Sequence, residues 1–215
     1  MDITNQSRWH LSGWIVAAGL AGMMVAGGFQ PAQEKTGVVD LNRMMQQSEF
    51  GKANQANINA SLKARRELLE FVNTYRILTV EQAARLKELK LKAAPTQAER
   101  DEITRIENDV KASDRRRIEL SQKQNLTEQD RQMLQDFASR SQAMMQTLDR
   151  WNNEFNEELG QISDQANQLT MERARAALSE VGKSQGFTVI IETRFAPYGA
   201  NDVTEAALKA MNAKK

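Results

Sequence analysis

Cysteine is absent from this chain of 215 residues, and its one histidine, His10, falls in an N-terminal segment that reads as a targeting signal. A body with neither residue cannot assemble a Ser/His/Asp triad, a Cys nucleophile or a usual zinc site, which leaves an enzyme only carboxylate, Lys or Tyr chemistry. Adjacent acids such as Glu157 and Glu158 do not supply it, because neighbouring positions on a helix do not face each other. No catalytic residue, metal or cofactor is therefore expected. Lack of cysteine does not by itself distinguish a reducing compartment from an oxidising one.

Aromatic residues are scarce too, at 6% against 40% hydrophobic residues overall, and the densest apolar run lies at the extreme N-terminus. The remainder is too polar for a thick core and favours long amphipathic helices. Charge of one sign is not in excess either. Lys and Arg number 29 and Asp and Glu 28, and removing residues 1–32 deletes one of each, Arg8 and Asp2, so the balance stays at +1. That disfavours a polyanion binder. The run Arg115, Arg116, Arg117 sits among Asp109, Asp114 and Glu119 and reads as a solvated helix face, so no nucleic-acid partner is expected.

The one long hydrophobic run, LSGWIVAAGLAGMMVAGGF from Leu11 to Phe29, carries no charge and follows Arg8. About 20 apolar residues can span a bilayer and about 7 to 15 suffice for a signal core, so residues 1–32 are expected to be a signal peptide or an N-terminal membrane anchor. Trp9 and Trp14 suit an interfacial position. Neither Ala26-Gly27-Gly28 nor Gln30-Pro31-Ala32 is a clean Ala-x-Ala cleavage site, and both outcomes stay open. Either way the body is expected in the periplasm or cell envelope, and an uncleaved segment would tie it to the inner membrane.

Between Lys52 and Val181 there is one proline, Pro95, and one glycine, Gly160. The stretch is built from good helix formers and predicts helix almost throughout. Leu134, Phe137, Ser141, Met144, Leu148, Trp151 and Phe155 follow alternating steps of three and four, a heptad seam. It continues through Leu159, Ile162, Ala166 and Leu169, with two consecutive steps of four at Trp151, Phe155 and Leu159, a stutter. Thr79 with Gln82, Thr96 with Glu99 and Thr127 with Asp130 read as helix caps, implying breaks near Leu78, Pro95 and Asn125. The distal turn is placed near Asn125, with the surplus of the outgoing arm taken up by the two earlier breaks as a side hairpin. The return helix would extend roughly 80 Å. Ile103, Ile106 and Val110 form only a thin stripe, which fits a splayed distal region as well as a helix resting on its neighbour.

Two short pieces have a different texture. Thr36 to Leu41 and Phe187 to Glu192 predict strands, Phe195 through Tyr198 to Ala200 a possible third, and Asp202 with Glu205 caps a closing helix. A returning helical hairpin would join them, giving a β module of residues 33–50 and 186–215 that carries a coiled-coil arm of residues 51–185. So few short strands bury little alone, which suggests that several copies share one sheet or barrel. The expected interface residues are Val38, Val39, Leu41, Val189, Ile190, Ile191 and Tyr198.

The opening KTGVVDLNRMMQQSEFGKANQ, with Val38, Val39, Asp40, Gly51 and Lys52, resembles the Skp/OmpH family of periplasmic chaperones. So does the ending GFTVIIETRFAPYGANDVTEAALKAMN, with Asp202, Thr204, Glu205, Leu208, Lys209 and Asn212. The resemblance implies a mainly α fold with a small β module, in which three copies build a short-stranded β-barrel and helical hairpin arms project from it. It also implies ATP-independent holding of unfolded outer-membrane proteins, which suits a chain with no phosphate-binding loop. Members of that family are strongly basic, whereas this body is near neutral, and its helical middle is longer.

A holdase would bind clients through adaptable apolar side chains on its arms, and the candidates are Leu86, Leu89, Ile103, Ile106, Met133, Phe137, Met144 and Met145. For any single one of them, packing the arm's own two helices is the favoured role, so the client surface is expected of the group. The rival reading is a membrane-anchored coiled-coil spacer of the envelope, which needs no client surface.

Overall fold

The computed structural model describes residues 35–196 and 198–213, so the expected signal or anchor in residues 1–32 lies outside the described residues. Among those described, no helix is long and apolar enough to cross a membrane. The order is β1 (Thr36–Val39), α1 (Leu41–Gln47), α2 (Glu49–Thr74), α3 (Val80–Lys90), α4 (Gln97–Gln122), α5 (Glu128–Gln185), β2 (Val189–Glu192) and α6 (Thr204–Ala213). It is mostly helix, with one small sheet.

The long helices start where the caps lie. Thr79, Thr96 and Thr127 each accept a hydrogen bond from the backbone N–H three residues on, and the side chains of Gln82, Glu99 and Asp130 each return one. Each such cap is worth about 1 kcal/mol. Gly186 ends α5 in the left-handed conformation, with φ of 72°, where a side chain would be strained. At about 1.5 Å per residue, the 58 residues of α5 extend roughly 87 Å.

The arm is thicker than a two-helix hairpin. The chain runs out along α2, doubles back in α3, runs out again in α4 and returns in α5. Lys87 of α3 accordingly pairs with Glu154, one turn from the Glu158 that Arg65 of α2 reaches. Leu68 and Val72 of α2, Ala83 and Leu86 of α3, Val110 and Leu120 of α4, and Phe137 to Phe155 of α5 meet in one core. The expected side hairpin is present, and it packs closely enough to give the arm the core that composition argued against. The thin stripe of α4 works because Ile103 and Ile106 need only cover this core from one side, and Val110 is fully buried in it. A splayed distal region is not observed.

The seam of α5 departs from expectation beyond the stutter. Leu169 is 45% exposed, and Thr170 is buried in its place, followed by Ala174, Ala177 and Val181. An extra step of four from Ala166 to Thr170 carries the contact line past Leu169. Asn54 fixes the new line by donating to Oγ1 of Thr170 at 3.0 Å.

At the base, β1 and β2 pair in parallel, with Thr36 beside Val189 and Val39 beside Glu192. Val38 turns its own backbone the other way, donating to the Asn201 carbonyl and accepting from the Val203 N–H. Among the described residues the possible third strand is not formed. Residues 193–195 turn instead, with Phe195 N–H donating to the Glu192 carbonyl, and only a single bridge from Val38 to Asp202 follows. Gly199 lies so close over Val38 that an added Cβ would stand 2.2 Å from its Cγ1. A second core joins Val39, Met44, Ala174, Ala177 and Val181 to Val203 and to Ala207 and Met211 of α6, the small alanines allowing the helices to approach. Asp202 accepts from the Thr204 N–H as expected, whereas Glu205 reaches Arg43 and does not complete a capping box.

The revised seam has a direct test. Phe155→Ala empties a core position and should cost about 3 to 5 kcal/mol, whereas Leu169→Ala should cost under about 0.5 kcal/mol. Urea unfolding of the two variants checks the difference.

Candidate functional site

The structure sorts the eight arm candidates by burial. Leu86, Leu89, Phe137 and Met144 are buried, and Ile103, Ile106 and Met133 are partly buried against the distal core. Apolar residues at seam spacing pack against the neighbouring helices first, so these seven would meet a client only if the arm opened. Met145 is 44% exposed and lies on the surface.

Two open grooves flank the α5 segment that carries Trp151 and Phe155. One, of about 1010 Å³, runs between α3 and α5 past Val80, Ala84, Lys87, Leu91, Arg150 and Trp151. The other, of about 810 Å³, runs between α2 and α5 and has Leu62, Leu69, Met145, Leu148, Phe155 and Leu159 along it. Among these, Val80, Leu62 and Met145 are the large apolar side chains left exposed. Sequence periodicity missed both grooves. Seam residues Leu148, Trp151, Phe155 and Leu159 line them together with residues beside the seam, such as the stripe Met145, Asp149, Asn152, Asn156, which periodicity alone did not single out.

Charges bridge the helices around the grooves. Arg65 holds Glu158 through Nη2 at 2.7 Å and lies 5.5 Å from the Phe155 ring, while Lys87 holds Glu154 at 2.6 Å and lies over the Trp151 and Phe155 rings. Lys90 pairs with Glu107, and Arg85 grips Glu102 with two 2.7 Å contacts, which lowers the Glu102 carboxyl below its ordinary range. At the arm tip Asp130 is buried. It accepts from Lys123 and from the Thr127 N–H, with Arg116 3.8 Å away, and the Lys123 bond above all lowers its pKa to about 2.

At the base, residues paired across the sheet share a face. Gly37, Val39 and Ile190 look toward the helical core, where Ile190 packs with Leu41. Val38, Val189 and Ile191 look the other way. Val38 is buried within the chain by its own C-terminal segment, and so is Val39 by the core, so neither is free to meet another copy. Val189 is half exposed and Tyr198 almost fully exposed, joined by Phe195, which was expected in a third strand and not in the interface. The outer edge of β2 has no strand beside it among the described residues.

The two ends of the chain are tied by the residues that carried the family resemblance. Asp40 N–H donates to Thr204 Oγ1 at 2.9 Å, Glu49 N–H donates to Asn212 Oδ1 at 2.9 Å, and Arg43 pairs with Glu205. A family model described as outer membrane protein (OmpH-like) matches residues 35–211. No curated protein matches the chain.

The tip makes a pH prediction. Because the Asp130 pKa is lowered from 3.8 to about 2, its contribution to tip stability is fully present above pH 4 and is lost as pH falls toward 2. In Asp130→Asn the tip should be less stable at neutral pH and should lack that acid step. Amide hydrogen exchange at residues 116–134 between pH 5 and pH 2 measures both.

Proposed function

The chain belongs to the OmpH-like family, which is associated with periplasmic chaperone function, and on that premise we propose that it is an ATP-independent holdase for unfolded outer-membrane proteins. The observation that carries the reading is an arm of roughly 87 Å whose own core is closed, yet which leaves apolar grooves open along its flanks. Shallow apolar grooves lined by Met, Leu and flexible Lys or Arg accept many sequences, which is what a chaperone without a fixed client needs. Holding of this kind requires adhesion and not bond chemistry, so the proposed protein is not an enzyme.

We place the oligomer contact at the base. A two-stranded sheet is marginal alone, and here exposed Val189, Phe195 and Tyr198 and partly exposed Ile191 lie on or near a strand edge that is unpaired among the described residues. Three copies adding strand edge to strand edge would cover these side chains and point the arms away from a common centre, around a space for the client. The family's typical periplasmic location fits such a holder.

Light scattering of the chain alone should give a trimer, and with an unfolded outer-membrane protein a discrete soluble complex in the absence of nucleotide. A trimer that leaves the client to aggregate would favour the spacer reading. Val189→Asp with Ile191→Asp should give monomers whose helical content is kept; a double variant that still sediments as a trimer would remove the β2 edge from the interface.

A further inference from the structure

We infer that the groove between α2 and α5 is a peptide-backbone site, which takes an extended unfolded segment with apolar side chains and at least one acidic one. The inference rests on the holdase reading and names the surface and chemistry through which a client would be held.

Three observations converge there. The groove follows two helix stripes, from Leu62 to Asn73 on α2, with Arg76 just past its end, and from Leu159 back to Met145 on α5, about 20 Å along α5. That length matches roughly six residues of extended chain. Its floor is apolar at both ends, with Leu62 and Leu159 at one and Leu69, Leu148 and Met145 at the other. Leu62 and Met145 are 40% and 44% exposed, an apolar surface left uncovered among the described residues.

Between these ends lie Asn152 and Asn156, both exposed, and neither carboxamide has a hydrogen-bond partner among the described residues. They stand four positions apart on one helix face, about 6 Å along the axis. An extended chain presents equivalent backbone groups every two residues, about 6.6 Å. A carboxamide donates and accepts at once, so two at this spacing can each take an N–H and a C=O of a bound strand without reading its sequence. Apolar side chains of the segment would enter the two ends.

Charge selects among such segments. Three guanidinium groups, from Arg65, Arg66 and Arg76, line the groove against the carboxylates of Glu70 and Asp149. Arg65 is held by Glu158 and Arg76 by Asn73, whereas Arg66 is exposed and makes no ion pair among the described residues. Arg66 is therefore the group that would meet an acidic side chain of the occupant.

The test measures, by fluorescence anisotropy with the full chain, binding of a labelled decapeptide in which Leu or Val alternates with Ser and one Glu. Asn152→Ala with Asn156→Ala should weaken binding at least about tenfold with the melting temperature unchanged, and N-methylation of the peptide backbone should weaken binding to the unmutated chain by a similar factor. Arg66→Gln should reduce affinity for this peptide and leave that for a Glu→Gln peptide unchanged. Equal affinity of the double variant, indifference to N-methylation, or no binding by the unmutated chain would each overturn the site. A changed oligomeric state in the double variant would assign the groove to a second copy and overturn it too. The holdase reading is judged separately, by whether the unmutated chain keeps an unfolded outer-membrane protein soluble: holding with an unaffected double variant removes the groove alone.

Discussion

The parallel pairing of β1 with β2 is the constraint on which the rest depends. Parallel neighbours cannot be joined by a tight turn, and here the crossover is the entire arm, from Asp40 to Thr188. The arm must therefore return to where it began, in register, for Thr36 to meet Val189. The base enforces this with contacts that each join the two ends: Val38 held against residues 201–203, Asp40 with Thr204, Glu49 with Asn212, Arg43 with Glu205. Because closing a loop costs only logarithmically more as it lengthens, the base tolerates an elaborate arm. A side hairpin can be carried without disturbing the sheet.

That side hairpin explains the near-neutral charge of the body. Lys87, Lys90, Arg65 and Arg85 are answered by Glu154, Glu107, Glu158 and Glu102 across helix boundaries. Pairs at this degree of exposure add little stability individually, but a register slip between helices would break several together, so they specify how four polar helices align. Basic residues used in this way are not available as a polycationic surface. On the proposed holdase reading, attraction of clients would then fall to apolar and amide groups, with charge acting locally.

Much of the fold was legible because its signals are local. A cap needs only its own residue and the one three positions on, so Thr79, Thr96 and Thr127 marked the helix starts, and the strands were marked by β-branched residues beside glycine. The distal core was not legible, since Ile103, Ile106 and Val110 look thin until α2, α3 and α5 contribute their own partial stripes to the same interior. The arm candidates shared that blindness: periodicity finds what a helix buries, and Met145 escaped burial by standing beside the seam at Met144. The base candidates divided by strand face, a distinction that waits on the register of Val38 with Ile191.

The same burial pattern sets how the arm can deform. Between Ser48 and Leu68 on α2, and between Phe155 and Thr170 on α5, neither helix has a buried residue, and Gly160 lies in the middle of the second stretch with nothing within 4 Å of where its Cβ would be. Core packing resists changes of even a methylene, so strain applied to the arm is taken up where no core exists. The distal four-helix unit and the base are thus two separate cores joined by a two-helix neck without buried residues, which Asn54 ties to Thr170 at its base end. On the proposed holdase reading, bending at that neck would let clients of different size be enclosed without opening the distal core. The seven apolar candidates would then stay buried, and on that same reading the grooves on its flanks would be the surface offered to a client.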